Sequence, residues 1–160
     1  MTPLEYLDQV LITGSKIESL EYVRLGIIEE SGEIAGKIKR LYRGDYTEEV
    51  FREQMAKELG DLNWYLTLYA HLNKKPISKY RPPRNTSLID SIDKLEILKA
   101  HLTKAKNPLH KDRIINTMVG TVIDLSNNCG YTMEEILQIN INKIISRYNR
   151  GKIRGEGDER

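Results

Sequence analysis

The sequence predicts an all-α fold, a bundle of about five or six helices. Apolar residues recur at the three- and four-residue spacing of a buried helical face through most of the chain. No run alternates apolar and polar residues between turn signals, so no strand is expected. Turn-forming clusters around Gly44, Asn73 to Pro83, Asn107-Pro108 and Gly130 cut the chain into segments of helical length.

Each element follows from local signals. A first helix is expected over about 3–15, with Thr2 as N-cap and Pro3 in the first turn. A second runs from about Glu18 to Tyr42 and stops at Arg43-Gly44-Asp45. The third begins after Thr47, where Glu48 and Glu49 suit the positive end of the helix dipole, and ends near Leu72. Pro76, Pro82 and Pro83 make 76–87 a loop. Further helices are expected over about 88–106, 110–128 and 133–149, the last opened by the Thr132/Glu135 capping box. Residues 151–160 carry three glycines and six charged side chains, and a flexible tail is expected there. The whole, 1–160, reads as one domain.

Composition narrows the class. With 25 basic and 23 acidic residues the net charge is only +2, too small for a nucleic-acid partner. No apolar run approaches the roughly 20 residues of a membrane span. The first residues, Met1 to Asp8, lack the pattern of a secretory signal. Cys129 is the single cysteine, so no internal disulfide forms; a buried thiol in a reducing, cytoplasmic compartment is expected.

Two acidic motifs stand out, Glu29-Glu30-Ser31-Gly32-Glu33 and Glu58-Leu59-Gly60-Asp61. Each sets two carboxylates three residues apart, on one helical face and roughly 5–6 Å apart at Cβ. Leu20, Val23, Ile27, Ile34, Ile38 and Leu41 form the apolar stripe of the second helix, and Glu30 falls on it between Ile27 and Ile34. Phe51, Met55, Leu62, Tyr65 and Tyr69 form the next stripe, and Glu58 falls between Met55 and Leu62. Burying an uncompensated carboxylate costs several kcal/mol. Two such pairs on consecutive helices therefore point to a four-carboxylate cage for a hard divalent cation such as Mg²⁺, formed by Glu30, Glu33, Glu58 and Asp61. The bland alternative is a solvated acidic face with lysine partners, such as Glu33 with Lys37.

At these residues the chain resembles the MazG-like all-α nucleoside triphosphate pyrophosphohydrolases, whose signature is E-E-x-x-E, a gap, then E-x-x-D. Glu29, Glu30, Glu33, Glu58 and Asp61 match it, with Lys37 one turn after Glu33 and Asp61-Leu-Asn-Trp-Tyr-Leu after the second motif. Asn140-x-x-Lys143-x-x-x-Arg147 and the terminal Gly155-x-Gly157-Asp158-x-Arg160 resemble the end of single-domain members. The resemblance covers about 20–75 and 130–160. Residues 76–118 fall outside it and read as an insertion or a degenerate repeat. Asp93 and Glu96 again space two acids by three, but Met118 to Thr121 hold none where the second motif would recur.

The resemblance implies Mg²⁺-dependent hydrolysis of a nucleoside or deoxynucleoside triphosphate to monophosphate and pyrophosphate, with Mn²⁺ as a substitute metal. It makes the five acids the catalytic set, with Glu29 second to the ligands or orienting water, or simply solvent-exposed. Lys37 is then placed to contact phosphate, or to pair with Glu33. Tyr65 offers its hydroxyl to phosphate or sugar, or is a core aromatic, and Trp64 is expected to pack. Lys143 and Arg147, with Arg150 and Lys152, form a phosphate clamp or merely face the negative helix end. Arg160 completes the substrate-binding set from a tail that orders over the triphosphate. Gly32 and Gly60 are expected to admit a close neighbour. His71, His101 and His110 read as surface or cap residues. A dUTPase-like or phosphoribosyl-ATP pyrophosphohydrolase-like enzyme is a rival within the superfamily, and a non-catalytic nucleotide-binding module a rival outside it. Apolar residues on more than one helix face suggest a homodimer or homotetramer.

Overall fold

The computed structural model describes residues 1–150, and these form six helices with no strand. In chain order they are α1 (Pro3–Gly14), α2 (Leu20–Arg43), α3 (Glu48–Leu72), α4 (Leu88–Lys104), α5 (Pro108–Asn128) and α6 (Met133–Asn149). The all-α expectation holds, and the boundaries shift by a turn or less. Ser19 rather than Glu18 opens α2, because its hydroxyl accepts from the Tyr22 N–H. α5 starts two residues early, since Asn107 is the N-cap and Pro108 takes the first turn. Thr2/Glu5 and Thr132/Glu135 both form complete capping boxes.

α3 is the central element and packs against α1, α2, α5 and α6. The pairs α2–α3 and α4–α5 are hairpins, joined to each other through α3–α5 and α2–α4. α1 and α6 pack together and against α3. This arrangement explains why α3 is apolar nearly all round: Met55, Leu59, Leu62, Leu66 and Leu68 are all fully buried. Gly44 ends α2 with φ 82°, a left-handed conformation that glycine adopts without steric cost.

Residues 73–87 connect the two hairpins without helix, and Arg81 anchors them. Its guanidinium donates to both Asp124 oxygens, at 2.8 and 2.5 Å, and to the Gly120 carbonyl at 2.6 Å. The Arg84 N–H donates to Asp124 Oδ1 at 2.8 Å. Gly120 leaves the space that Arg81 fills, since a Cβ there would lie 2.6 Å from Arg81 Nε. Burial pushes the Asp124 carboxyl up, but the guanidinium and the amide outweigh it and hold it below its ordinary value.

Removing Arg81 strands a buried carboxylate. Arg81→Met should cost on the order of 3 kcal/mol in urea unfolding at pH 7. A carboxylate with a depressed folded-state pKa stabilises above its unfolded pKa of about 4 and loses that contribution as pH falls further. The wild type should therefore lose stability more steeply below pH 4 than Arg81→Met does, as read from unfolding midpoints across an acid series.

Candidate metal and phosphate site

The α2–α3 hairpin brings the two acidic motifs together. Glu30 and Glu33 from α2 and Glu58 from α3 each present an oxygen, and the three lie within 4.8 Å of one another. Glu58 is 1% exposed, Glu30 is half-buried and Glu33 faces solvent at the rim. Burial pushes the Glu30 carboxyl up to about 8, with the charges of Asp61, Glu58 and Glu33 adding to the rise and Lys143 opposing it. A carboxyl whose ionisation is disfavoured by burial and by three neighbouring acids is what a divalent cation would relieve. The donor set is all oxygen, which suits Mg²⁺.

Two lysines neutralise the inward acids. Lys37 Nζ lies 2.9 Å from Glu58 Oε1 and donates to Gln54 Oε1 at 3.2 Å. Lys37 thus pairs across the hairpin with Glu58. Lys143 Nζ donates to Asp61 Oδ2. Asp61 Oδ1 accepts from Asn140 Nδ2 at 2.9 Å, and Asn140 Oδ1 accepts from the Tyr6 hydroxyl at 2.7 Å. Asp61 is thus held by α6 beside the three-glutamate cluster, and its charge still reaches Glu30.

Gly60 makes this approach of α6 feasible. A Cβ at Gly60 would sit 2.8 Å from Asn140 Cβ. Gly32 has no such role within the chain: nothing lies within 4 Å of where its Cβ would be. Within the chain, Gly60 meets the expectation that a motif glycine admits a close neighbour. Gly26, which was assigned no role, is filled by the Tyr65 ring, 2.3 Å from a built Cβ.

A cleft of about 140 Å³ opens beside the acids. Glu30 and Asp61 line it together with Tyr22, Trp64, Tyr65 and Arg147. Trp64 and Tyr65 meet edge to face, with centroids 5.0 Å apart and planes at 86°. Burial raises the Tyr65 phenol, with Tyr22, Glu30 and Glu29 adding to it, so it stays a hydrogen-bond donor. Trp64 packs against Gly14 and Tyr65, as a packing role predicts, yet it also lines the cleft. Arg147 is buried and also lines the cleft. Lys143 thus contacts an acid of the site, and Arg147 lines the cleft.

Glu29 is exposed and is not part of the three-glutamate cluster, although its charge reaches Tyr65. Arg160 and Lys152 lie outside the described residues. Cys129 is a buried free thiol, pushed up by burial to about 11. His101 and His110 are exposed and His71 is partly so, consistent with surface and cap roles.

Sequence reasoning gave Tyr6 no part in the site and Tyr22 none in the cleft, and it quoted Asn140 only within the family's closing motif. Asn140 carried a legible signal: with Ile136 and Leu137 before it and Ile141 after it, it sits on the apolar face of α6. Tyr6 carried none, because it reaches Asn140 across 134 positions of sequence.

Comparison with known proteins agrees with this geometry. The chain is 27% identical to the Gene 37 protein of Mycobacterium phage L5 over 147 residues, which is 90% of this chain and 79% of that protein. No solved structure matches the chain. Residues 18–79, which hold both acidic motifs, match the family model described as the MazG nucleotide pyrophosphohydrolase domain. The acidic hairpin α2–α3 thus lies within the segment, residues 18–79, that is similar to the MazG nucleotide pyrophosphohydrolase domain.

Proposed function

We propose that the chain hydrolyses a nucleoside or deoxynucleoside triphosphate to the monophosphate and pyrophosphate, with Mg²⁺ as cofactor. The observation that carries this reading is the cluster of Glu30, Glu33 and the buried Glu58, three carboxylates from two helices within 4.8 Å. Glu30, Glu33, Glu58 and Asp61 are the metal ligands in this reading. Bound Mg²⁺ would neutralise phosphate charge and lower the pKa of a coordinated water. Water attacks the α-phosphorus, the bond from it to the bridging oxygen breaks, and pyrophosphate leaves. A motif carboxylate not fully engaged in coordination accepts the water's proton, and Glu29 orients that water in this reading. Lys37, Lys143 and Arg147 hold the phosphates, with Arg160 from the tail. Tyr65 offers its hydroxyl to the phosphate or sugar.

The domain in this reading is 1–160, and α4–α5 is an insertion or a degenerate counterpart of α2–α3. No helix among the described residues is long and apolar enough to cross a membrane. We place the reaction in the cytoplasm, where nucleoside triphosphates and Mg²⁺ are available. We further propose self-association through α2. Leu25 is 54% exposed, Ile28 lies beside it, and Gly32 and Gly36 face open space. Each mid-helix glycine costs about 1 kcal/mol relative to alanine, which a close-packed second helix offsets. Along this face Glu29 precedes the glycines and Lys39 follows them, so an antiparallel copy sets opposite charges together.

With Mg²⁺ and a panel of (d)NTPs, at least one should give monophosphate and pyrophosphate in equal amounts, and EDTA should stop it. Release of orthophosphate and diphosphate instead would sink the α-phosphate assignment. Glu30→Gln, Glu33→Gln, Glu58→Gln and Asp61→Asn should each lower kcat/KM by roughly two orders of magnitude or more, matching several kcal/mol of lost charge stabilisation. Wild-type rates in any two would remove the cage.

Glu30 gives a pH test with a defined sign. A carboxyl whose folded-state pKa is raised contributes fully below its unfolded value of about 4.3 and loses that contribution as pH rises towards its folded value. With the folded value at about 8, metal-free protein should lose thermal stability steadily from about pH 4.5 to pH 8. Mg²⁺ or Glu30→Gln should flatten this slope in calorimetric scans at several pH values.

Light scattering should give the mass of a dimer or tetramer for the wild type, and Leu25→Glu should reduce it. A monomeric wild type, or an unchanged mass in the variant, would remove the α2 interface.

A further inference from the structure

We infer that Tyr6 is a positioning residue for Asp61 and acts through Asn140. The inference rests on the proposed metal site and deepens it, because it ties the site to α1, which lies outside the matched segment 18–79.

A carboxamide can present either of its ends to a neighbour. Beside a carboxylate only the NH₂ end is favourable, since the carbonyl end sets oxygen against oxygen. Asn140 presents Nδ2 to Asp61 Oδ1 at 2.9 Å. Its Oδ1 must then accept, and the one donor it is given is the Tyr6 hydroxyl, at 2.7 Å. Tyr6 is 0% and Asn140 1% exposed, so water does not compete for either end. Burial, reinforced by the nearby Tyr80 and Asp61, holds the Tyr6 phenol well above its ordinary value, so it remains a donor.

The consequence falls on Asp61. One of its oxygens is fixed by the amide and the other is held by Lys143. A bound cation would therefore meet an Asp61 carboxylate whose orientation Asn140 and Lys143 have already set. Tyr6 fixes the amide, and the amide fixes the orientation in which the carboxylate would be offered to a cation. Gly60 is part of the same construction, because only a residue without a Cβ lets Asn140 sit against α3. Partners behind a metal ligand are generally worth about 10–100-fold in affinity or rate.

The test is a double-mutant cycle on Tyr6→Phe and Asn140→Ser, read in Mg²⁺ affinity by calorimetry, in kcat and KM, and in melting temperature. Tyr6→Phe keeps the ring and removes one oxygen, so the protein stays folded. It should weaken Mg²⁺ binding and lower kcat by about tenfold, with the nucleotide KM within about twofold. Asn140→Ser should do the same, and the double variant should be no worse than Asn140→Ser alone, because both act along one path. Additive losses, or a Tyr6→Phe that changes melting temperature but neither Mg²⁺ affinity nor kcat, would make Tyr6 an ordinary core residue. A wild type that binds Mg²⁺ but hydrolyses nothing removes the reaction and leaves the Tyr6 effect on metal affinity standing. A wild type that takes up no Mg²⁺ overturns both.

Discussion

The interaction on which the site depends is the burial of Glu58 inside the α2–α3 hairpin. An ionised carboxylate at 1% exposure must be paired, and Lys37 reaches across from α2 to pair it. That pairing fixes the register of the two helices, and the register places Glu30 and Glu33 within reach of Glu58. The cluster is therefore a product of helix packing, with no loop involved. A site on two long helices holds its geometry without further ordering, which is what charge stabilisation of a polyphosphate requires.

α3 satisfies two demands that conflict. It is the central helix and must be apolar nearly all round, yet it carries Glu58 and Asp61 on its inner surface. The conflict is resolved by importing polar groups from its neighbours. Lys37 comes from α2, Lys143 and Asn140 come from α6, and the Tyr6 hydroxyl comes from α1. α5 supplies apolar cover from the other side, and its own buried acid, Asp124, is closed off by Arg81. The second hairpin thus has a satisfied ion pair where the first has an excess of negative charge.

That excess is chemically useful. The Glu30 carboxyl is pushed up to about 8, and it sits where the cluster meets the cleft. Tyr22, Trp64 and Tyr65 give the cleft an aromatic lining, and Arg147 lines it as well. A ligand with a flat apolar part and an anionic tail fits such a cleft better than a uniformly polar one.

Local signals in the sequence determined the six helices, their caps and the two acidic motifs. Thr2, Pro3, Thr47, Thr132 and Glu135 act on backbone groups within a few residues, so their effect is legible without a fold. The inward placement of Glu30 and Glu58 was legible for the same reason, since helical periodicity is itself local. Tertiary structure decided the rest. Whether Lys37 pairs with Glu33 or Glu58 depends on a helix that follows it in space at a spacing no periodicity encodes. Gly60 and Gly32 sit alike in their motifs, and only the approach of α6 distinguishes them. The contact of Tyr6 with Asn140 links the first helix to the last, and long-range contacts of this kind arise from packing. Side chains that serve a site from a distance have no sequence spacing to betray them, because geometry alone brings them there.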